Sequence, residues 1–282
     1  MQKVFSPSSL GSYETCPKKY HFRYVLKVPA ESEGIEAFVG KRVHEVMERL
    51  YEFAGRGLVP SLERVFERFH ENWRETFQPE RIRIVRDDMT VEDYVAAGER
   101  CLENAYRRFY PFDDGETLGL ERRIHTRLDP AGEYAIRGFI DRVVRASDGV
   151  LEIQDYKTGK RVPRQNEVDR DRQLALYELA LRDELGEQGE VRLVWHYLLS
   201  GVTRVSQRTP EQLEKLRHET IALMDRVRAE TEWEPRETPL CRWCEYRSRC
   251  PLFGGEAGDE PAAESAASAD PPDPDSYQLP LL

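Results

Sequence analysis

Long apolar runs are absent from this 282-residue sequence, and that absence narrows the kinds of protein it can encode. No stretch approaches the roughly 20 apolar residues that a helix needs to cross a bilayer. The N-terminal segment, MQKVFSPSSLGSYETC, also lacks the apolar centre of a secretory signal peptide. We therefore expect a cytoplasmic protein that does not use a membrane as a partner.

Cysteine is scarce as well, with five residues in the whole chain. Because thiols stay reduced in the cytoplasm, these five argue against a disulfide framework and favour a metal site, a catalytic thiol or core packing. A P-loop of the form GxxxxGK[ST] is also missing. Any nucleotide-driven motor that works with this protein is therefore expected on another chain.

Basic residues are missing from one end of the chain. The segment 253–282 contains seven acidic residues and no Lys or Arg, whereas the whole chain has a net charge of −10. The other 252 residues therefore carry a net charge of only −3 and include local basic clusters, such as Lys18, Lys19 and Arg23. The overall acidity does not exclude DNA as a partner, since the local field decides. The acidic tail, rich in Ala, Pro and Ser, is predicted to be disordered.

The hydrophobic pattern changes its period along the chain. Through most of the first hundred residues apolar side chains recur every three to four positions, as at Val39, Val43 and Met47, which predicts helices. Alternating patterns then predict strands, with further helices at about 170–183 and from 209 onward. Five strands are predicted, at Glu121–Leu128, Tyr134–Arg145, Val150–Lys157, Val191–Leu199 and Val202–Arg208.

These patterns predict an α/β fold in one large domain. The expected divisions are a single domain over 1–253, composed of a helical region at 1–118, a sheet core at 119–208 and a C-terminal helix with a cysteine segment at 209–253, and then a tail at 254–282.

Two acidic residues interrupt predicted strands that are otherwise apolar. Asp141 follows the apolar residues 139–140, and Asp155 lies two positions before Lys157 in the next strand. Since residues two apart share one face of a strand, Asp155 and Lys157 project to the same side, and an antiparallel partner brings Asp141 beside them. Two carboxylates suit Mg²⁺ or Mn²⁺, and a nearby amine can orient water or stabilise charge on a phosphate. The alternative, an exposed surface salt bridge, leaves two acids in apolar strands unexplained.

The same residues carry a resemblance to a known family. Residues 138–141 followed by Asp155-Tyr156-Lys157 are similar to the catalytic motif of the RecB-like branch of the PD-(D/E)xK nuclease superfamily. Gly40-x-x-x-His44 and Gln173-x-x-x-Tyr177 resemble the helical motifs that precede and follow that catalytic motif. The resemblance covers nearly the whole body of the chain. It implies a restriction-endonuclease-like core, in which a central mixed sheet is flanked by helices.

The resemblance also implies a metal site. Asp141, Asp155 and the backbone carbonyl of Tyr156 would bind Mg²⁺ or Mn²⁺, and His44 would assist them. Glu121, at the start of the preceding predicted strand, is a further candidate acid.

Three further residues receive catalytic roles from the same resemblance. Lys157 would activate water, while Gln173 and Tyr177 would hold DNA or the geometry of the active site. On its own a Gln/Tyr pair four residues apart is commonly just one face of a helix. The order of the motifs along the chain is what favours the functional interpretation.

The cysteines are grouped near the end of the predicted domain. Cys241-x-x-Cys244 followed five residues later by Cys250 offers three thiolates, and Cys16 is the candidate for a fourth. Spacing alone fits zinc or an iron–sulfur cluster equally well. The order of these cysteines resembles that of the 4Fe–4S nucleases, which include the AddB subunit and CRISPR-associated RecB-like exonucleases, and implies a structural 4Fe–4S clasp. Cys101 lies at helical spacing among apolar residues and is expected in the core.

The tail ends in apolar residues that it has no means of burying itself. Its order of Gln-Leu-x-Leu-Leu, at Gln278, Leu279, Leu281 and Leu282, resembles the peptide with which bacterial repair proteins dock on the DNA sliding clamp. The alternative is that the tail folds back onto the body.

These observations lead to one principal hypothesis and two alternatives. The principal hypothesis is a metal-dependent deoxyribonuclease, an exonuclease that prefers single strands, which hydrolyses phosphodiester bonds in DNA repair or recombination in the nucleoid. One alternative is a DNA-binding subunit of a helicase–nuclease whose helicase is a separate chain. The other is a CRISPR-adaptation nuclease, which shares the same motifs.

Overall fold

The computed structural model describes residues 4–186 and 189–255. No helix in these two ranges is both long enough and apolar enough to cross a membrane. The strands are β1 (Val4–Phe5), β2 (Glu33–Gly34), β3 (Ile82–Arg83), β4 (Glu116–Arg127), β5 (Ala135–Arg145), β6 (Leu151–Lys157), β7 (Val191–Tyr197) and β8 (Val202–Ser206).

The eight α-helices of the described residues all lie before β4 or after β6, as the hydrophobic periodicity predicts. The α-helices are α1 (Pro7–Thr15), α2 (Pro17–Tyr20), α3 (Ile35–Ala54), α4 (Leu62–Thr76), α5 (Val91–Phe109), α6 (Gln165–Val168), α7 (Gln173–Leu185) and α8 (Pro210–Ala229). A π-helical turn at His21–Val25 extends α2, and 3-10 turns occupy Pro79–Arg81, Leu198–Ser200, Pro239–Trp243, Arg247–Arg249 and Pro251–Phe253.

Local sequence sets where the helices begin. Ser6 caps α1, because its hydroxyl accepts the backbone N–H of Ser9 at 3.0 Å while the Ser9 hydroxyl accepts the N–H of Ser6 at 2.9 Å. Thr209 caps α8 in the same reciprocal way with Gln212. Each cap satisfies backbone donors that a helix start leaves open. Pro7 and Pro210 occupy the first helical position, where a missing N–H costs nothing.

β5 pairs with three other strands of a six-stranded mixed sheet. Along one side it pairs antiparallel with β4 over its whole length. On its other side it pairs with β1, in parallel, at its start and with β6, antiparallel, at its end. β6 then pairs in parallel with β7, and β7 antiparallel with β8. The sheet is therefore mixed and flanked by helices, which confirms the predicted α/β class.

Two hydrophobic cores cover the two faces of the sheet. On one face α7, α8 and α1 bury apolar residues against β4 to β7, including Leu174, Leu213 and Leu10. On the other face α3, α4 and α5 form a separate core. Gly98 of α5 lies in that second core, where a Cβ would come within 2.4 Å of the Phe69 ring of α4. This glycine, which weakens the helix propensity of α5, thus permits the close approach of two helices.

The strand ends differ from prediction for reasons of pairing. β4 begins at Glu116 rather than Glu121, because Glu116 has a partner in Arg145. β1 was not predicted, since two residues at the start of the chain give too short a pattern, and they gain their order from the long-range pairing with β5. This strand ties the start of the helical region into the sheet core.

Candidate active site

The candidate site lies where β5 and β6 separate. The two strands pair from Arg142 to Arg145 and diverge beyond Gln154, so Asp141 falls just past the last pair. There the Asp141 Oδ2 accepts the backbone N–H of Tyr156 at 2.6 Å. The hydrogen bond replaces a ladder bond between the strands and fixes one carboxylate oxygen of Asp141, leaving the other to face the opening.

His44 reaches this opening from α3. Its Nε2 lies 2.8 Å from the Tyr156 carbonyl, and since a carbonyl only accepts, Nε2 carries the proton there. Nδ1 lies 3.4 Å from Asp141 Oδ1 and 3.9 Å from Glu121 Oε1. A histidine that binds a metal through one nitrogen usually donates its other N–H to a carbonyl or carboxylate, and His44 has that arrangement.

Glu121, Asp141 and His44 together form a group able to hold a metal ion. Each offers one ligand atom, and these atoms all lie within 4.8 Å of one another. Glu121 lies between the Leu120–Arg142 and Arg122–Ile140 pairs of β4 and β5 and has a φ of +41°. Such a φ is strained for a residue with a Cβ, and strain of this kind is typical of functional sites.

Asp155 and Lys157 form a pair beside this group. The Lys157 amine lies 2.9 Å from Asp155 Oδ2 and 3.0 Å from Oδ1, and it also donates to Gln173 Oε1 at 3.1 Å. As predicted, the two residues share one face of β6. Gln173 is the first residue of α7, so the helix start places its amide against the amine. Asp155 is thus ion-paired with Lys157. The group of three candidate ligand atoms contains Glu121 and does not contain Asp155.

The electrostatics of the site reflect three acids, of which Asp141 and Asp155 are buried, around two bases. Burial raises the pKa of Asp155 to about 7, although Lys157 acts to lower it, and the charge of Asp141 raises it further. Burial lowers the pKa of His44, but Asp141 and Glu121 outweigh it and the pKa is raised to about 10. The pKa of Lys157 is likewise raised despite burial, mainly by Asp155. Three carboxylates around one lysine and one histidine form an environment that favours a cation.

Tyr177 of α7 packs against β5, the strand that carries Asp141. A Cβ added to Gly138 of β5 would lie 2.5 Å from the Tyr177 ring and 2.6 Å from its hydroxyl. Tyr177 is 3% exposed, which leaves its ring against the backbone of β5 rather than at the surface. The sequence indicated Gln173 and Tyr177 as a pair, but it gave no sign that a glycine three residues before Asp141 is the surface on which Tyr177 packs.

Four of the five cysteines line a single cavity of about 720 Å³, distant in sequence from the acids. They are Cys16, Cys241, Cys244 and Cys250. Within the described ranges no three of their sulfurs lie within 4.8 Å of one another. A tetrahedral zinc ion, with bonds of about 2.3 Å, would hold its sulfurs roughly 3.8 Å apart. The structure therefore places the four residues around one cavity, and no three of their sulfurs are as close together as they would be around a single zinc ion.

Protein contacts hold the cysteine segment to the N-terminal part of the chain. Arg83 donates to the carbonyls of Trp243 and Cys244 at 2.7 Å and 3.1 Å. Glu245 pairs with Lys19 at 3.1 Å and Arg23 at 3.2 Å. These contacts bring Cys244 toward Cys16, which lies more than two hundred residues earlier in the sequence.

Cys101 lies elsewhere, as predicted. It is 1% exposed in the core of α3, α4 and α5, and burial raises the pKa of its thiol to about 12. The predicted clamp-binding residues Gln278, Leu279, Leu281 and Leu282 lie outside the described residues.

The sheet, its two helical layers and this arrangement of acids and lysine are those of a metal-dependent nuclease. A family model described as the PD-(D/E)XK nuclease superfamily matches residues 4–251, and the chain belongs to that superfamily. Members of the superfamily use divalent metal ions.

Solved structures show more distant similarity. A provisionally named exonuclease from Eubacterium rectale superimposes with a TM-score of 0.49 at 12% identity, covering 86% of this chain and 88% of that chain. The protein SSO0001 gives a TM-score of 0.35 at 13% identity, covering 90% of this chain and 88% of that one. No curated protein matches the chain.

Proposed function

We propose that the chain is a metal-dependent deoxyribonuclease of the RecB-like branch, with one nuclease domain over 1–253. The observation that carries this proposal is the convergence of His44, Glu121 and Asp141 beside the Asp155–Lys157 pair. Its reaction would be hydrolysis of phosphodiester bonds, from the end of a strand and with preference for single strands.

The residues at the site fit a hard divalent cation. Asp141, Glu121 and Asp155 would supply carboxylate oxygens and His44 its Nδ1, a donor set that suits Mn²⁺ or Mg²⁺. The Tyr156 carbonyl, predicted as a ligand, instead accepts from His44 Nε2 and would orient the ring so that Nδ1 faces the ion. When bound, the ion would supply Lewis-acid stabilisation of charge on the phosphoryl oxygens.

Lys157 and Gln173 would act on the substrate side. The Lys157 amine is held between Asp155 and Gln173, which limits its rotamers and keeps it protonated. In that position it can donate to a water or to a phosphate oxygen during displacement. Gln173 would position the amine, and Tyr177 would position β5 through Gly138.

Cys16, Cys241, Cys244 and Cys250 would hold a 4Fe–4S cluster with a structural role. Support comes from the cavity that all four cysteines line and from their order along the chain, which resembles that of the 4Fe–4S nucleases. The cluster would join α1 and α2 to the end of the domain. Because the loop it closes is long, the restriction it places on the unfolded chain is large.

The wider setting of the enzyme would be DNA repair or recombination in the nucleoid. The peptide at Gln278, Leu279, Leu281 and Leu282 would recruit it to a bacterial sliding clamp, and a flexible linker would raise its concentration at DNA. Saturable fluorescence anisotropy of a labelled 277–282 peptide with purified clamp tests this role. An absence of binding by that peptide would remove the clamp from the proposal.

The nuclease proposal is tested with anaerobically purified protein. End-labelled single- and double-stranded DNA is incubated with Mn²⁺ or Mg²⁺ and either wild type or Asp155→Ala. We expect degradation by the wild type, at least about 100-fold slower hydrolysis by Asp155→Ala, and no hydrolysis in EDTA. The control is Asp148→Ala, which removes an exposed aspartate on the turn between β5 and β6.

Two other results would change the assignment. Equal binding of DNA by wild type and Asp155→Ala, without cleavage by either, would favour a DNA-binding subunit of a helicase–nuclease. Cleavage by Asp155→Ala at the wild-type rate would place the chemistry elsewhere.

A further inference from the structure

β4 and β5 present one face to α7 and the other to the helices of the second core. Toward α7 point Gly138, under Tyr177, and Thr126, whose hydroxyl lies 3.3 Å from Asp183. Arg122 also points there, and its guanidinium lies 2.6 Å from Glu184. Because side chains alternate along a strand, the residues between these project to the opposite face, on which His44 lies.

That opposite face carries a narrow group of side chains leading away from the acids. Arg123 lies across from Phe139, and His125 lies across from Arg137, in the antiparallel register. We call these four residues the β4–β5 strip. Its pairs stand about 6.8 Å apart along the strands, two residues at about 3.4 Å each. Two residues before Arg123 in β4 lies Glu121, one of the three candidate metal ligands.

The strip is open to solvent on its β4 side. Arg123 and His125 are both exposed, and within the described ranges no acidic residue forms an ion pair with Arg123. Arg122, one residue away on the covered face, is by contrast neutralised by Glu184. Arg123 thus keeps its charge available to a ligand on the face that also carries the acidic site.

Phe139 gives the strip an aromatic surface. It is half-buried, and it belongs to none of the three hydrophobic clusters that the described residues form. Its neighbours on the strip are cationic or can donate hydrogen bonds. Proteins that bind single-stranded nucleic acids commonly combine aromatic rings with arginines. The phosphates lie at the cations, and a base stacks on the ring.

We infer that the β4–β5 strip binds the backbone of single-stranded DNA and leads it to the acids at Glu121 and Asp141. This inference rests on the proposed nuclease function and names the surface through which that function selects its substrate. Arg123 and Arg137 contact consecutive phosphates, His125 donates a hydrogen bond to the backbone, and Phe139 stacks on one base. A duplex does not fit this arrangement, because its bases are not free to stack on Phe139.

The test measures binding in the Asp155→Ala background, which prevents degradation. Fluorescence anisotropy follows a labelled oligothymidylate over a series of salt concentrations, in the same buffer with EDTA. Arg123→Ala and Arg137→Ala should each reduce the salt dependence of log K by about 0.7, the value of one single-strand phosphate contact. Phe139→Leu should weaken the binding at least about fivefold and leave the salt dependence unchanged.

Arg122→Ala is the matched control, since it removes an arginine from the same strand but from the opposite face. It should leave affinity and salt dependence at the values of the background. Thermal unfolding of every variant, compared with the parent, separates loss of contact from loss of fold. A salt dependence that stays the same in Arg123→Ala and Arg137→Ala would overturn the inference.

A second substrate separates this inference from the proposed function. Bis(p-nitrophenyl) phosphate is too short to reach the strip, so Arg123→Ala in an otherwise wild-type chain should hydrolyse it normally while losing activity on DNA. If the wild type hydrolyses neither substrate, the nuclease proposal fails. If wild type and Arg123→Ala hydrolyse DNA equally well, the strip fails and the nuclease proposal stands.

Discussion

Tyr177 packs directly on Gly138, so closely that a methyl group on the glycine would lie 2.5 Å from the tyrosine ring. The contact joins α7 to β5 three residues before Asp141. Two residues that are 39 positions apart in sequence therefore meet in one contact, and the contact sets how near α7 comes to the candidate site. The glycine is needed here for space, whereas its backbone conformation is one that other residues also adopt.

Gly138→Ala should destabilise the protein by about 1–3 kcal/mol, the usual cost of overpacking, and should shift Asp141 enough to reduce hydrolysis. Tyr177→Leu in the same chain makes room for the methyl group. The double variant should therefore lose less stability than the sum of the single variants, as a double-mutant cycle of urea denaturation measures. Additive losses would show that the two residues are not in contact.

Gly11→Ala is the matched control for that substitution. Gly11 lies inside α1, and a Cβ there would lie 3.9 Å from the Arg172 side chain, an ordinary contact. Alanine should accordingly stabilise the protein by about 0.5–1 kcal/mol through its better helix propensity.

The sequence predicted the elements of the site better than their pairings. Strand periodicity placed Asp155 and Lys157 on one face of β6, and the structure bears this out. The site forms because β5 diverges from β6 and because α3 packs beside them, and these two features decide which carboxylate oxygens lie close together. Neither feature can be predicted from local sequence patterns. For that reason Glu121 was only a further candidate in the sequence, although its carboxylate lies with His44 and Asp141.

Lys157→Met should reduce hydrolysis of DNA by about 100- to 1,000-fold, because it removes a donor aimed at developing charge. Gln173→Ala should cost less, about 10- to 100-fold, since the amine remains but loses a partner that orients it. The loss should fall on kcat, with KM for DNA retained, and Gln173→Glu should restore part of it by restoring the acceptor. Gln165→Ala, at an exposed residue of α6, is the control. A change in KM alone would assign Gln173 to DNA binding instead.

Glu121→Gly should separate the stability of the metal-free protein from its metal binding. Glycine relieves the strain of a φ of +41°, a conformation that costs other residues about 1–3 kcal/mol, so the metal-free protein should not lose stability. The same change removes a carboxylate, so Mn²⁺ should raise the unfolding temperature less than it does in the wild type.

Glu121→Ala is the comparison that isolates the strain. It removes the carboxylate and keeps a Cβ at the positive φ, so it should lose the metal effect without gaining metal-free stability. An undiminished Mn²⁺ effect in both variants would exclude Glu121 as a ligand.

Cys250→Ser should abolish the iron content of anaerobically purified protein and lower its unfolding temperature. Cys101→Ala should retain the iron, because that thiol is buried in the core of α3, α4 and α5, away from the cavity of the other four cysteines. Iron and acid-labile sulfide analysis measures both. Stoichiometric zinc in the wild type, with no iron, would replace the cluster by a zinc site.

The stability of the protein should depend on pH through His196 of β7. Burial lowers the pKa of this histidine to about 3, its Nδ1 lies 3.0 Å from the Thr203 hydroxyl, and its ring stacks on Tyr156. Between about pH 3 and pH 6.5 the unfolded chain binds a proton that the folded chain does not. This histidine therefore supports the folded state fully above pH 6.5, and its contribution is lost as the pH falls toward 3.

His196→Phe removes that proton and keeps an aromatic ring in the site. Its urea midpoint should fall less than that of the wild type between pH 7 and pH 5. Asp155 acts in the opposite sense, because its raised pKa makes the folded chain bind more protons from about pH 3.8 to pH 7. Both proteins contain Asp155, so the difference between their urea midpoints removes its contribution. That difference therefore isolates the contribution of His196. Parallel curves for wild type and His196→Phe would mean that His196 is not held in its neutral form by burial.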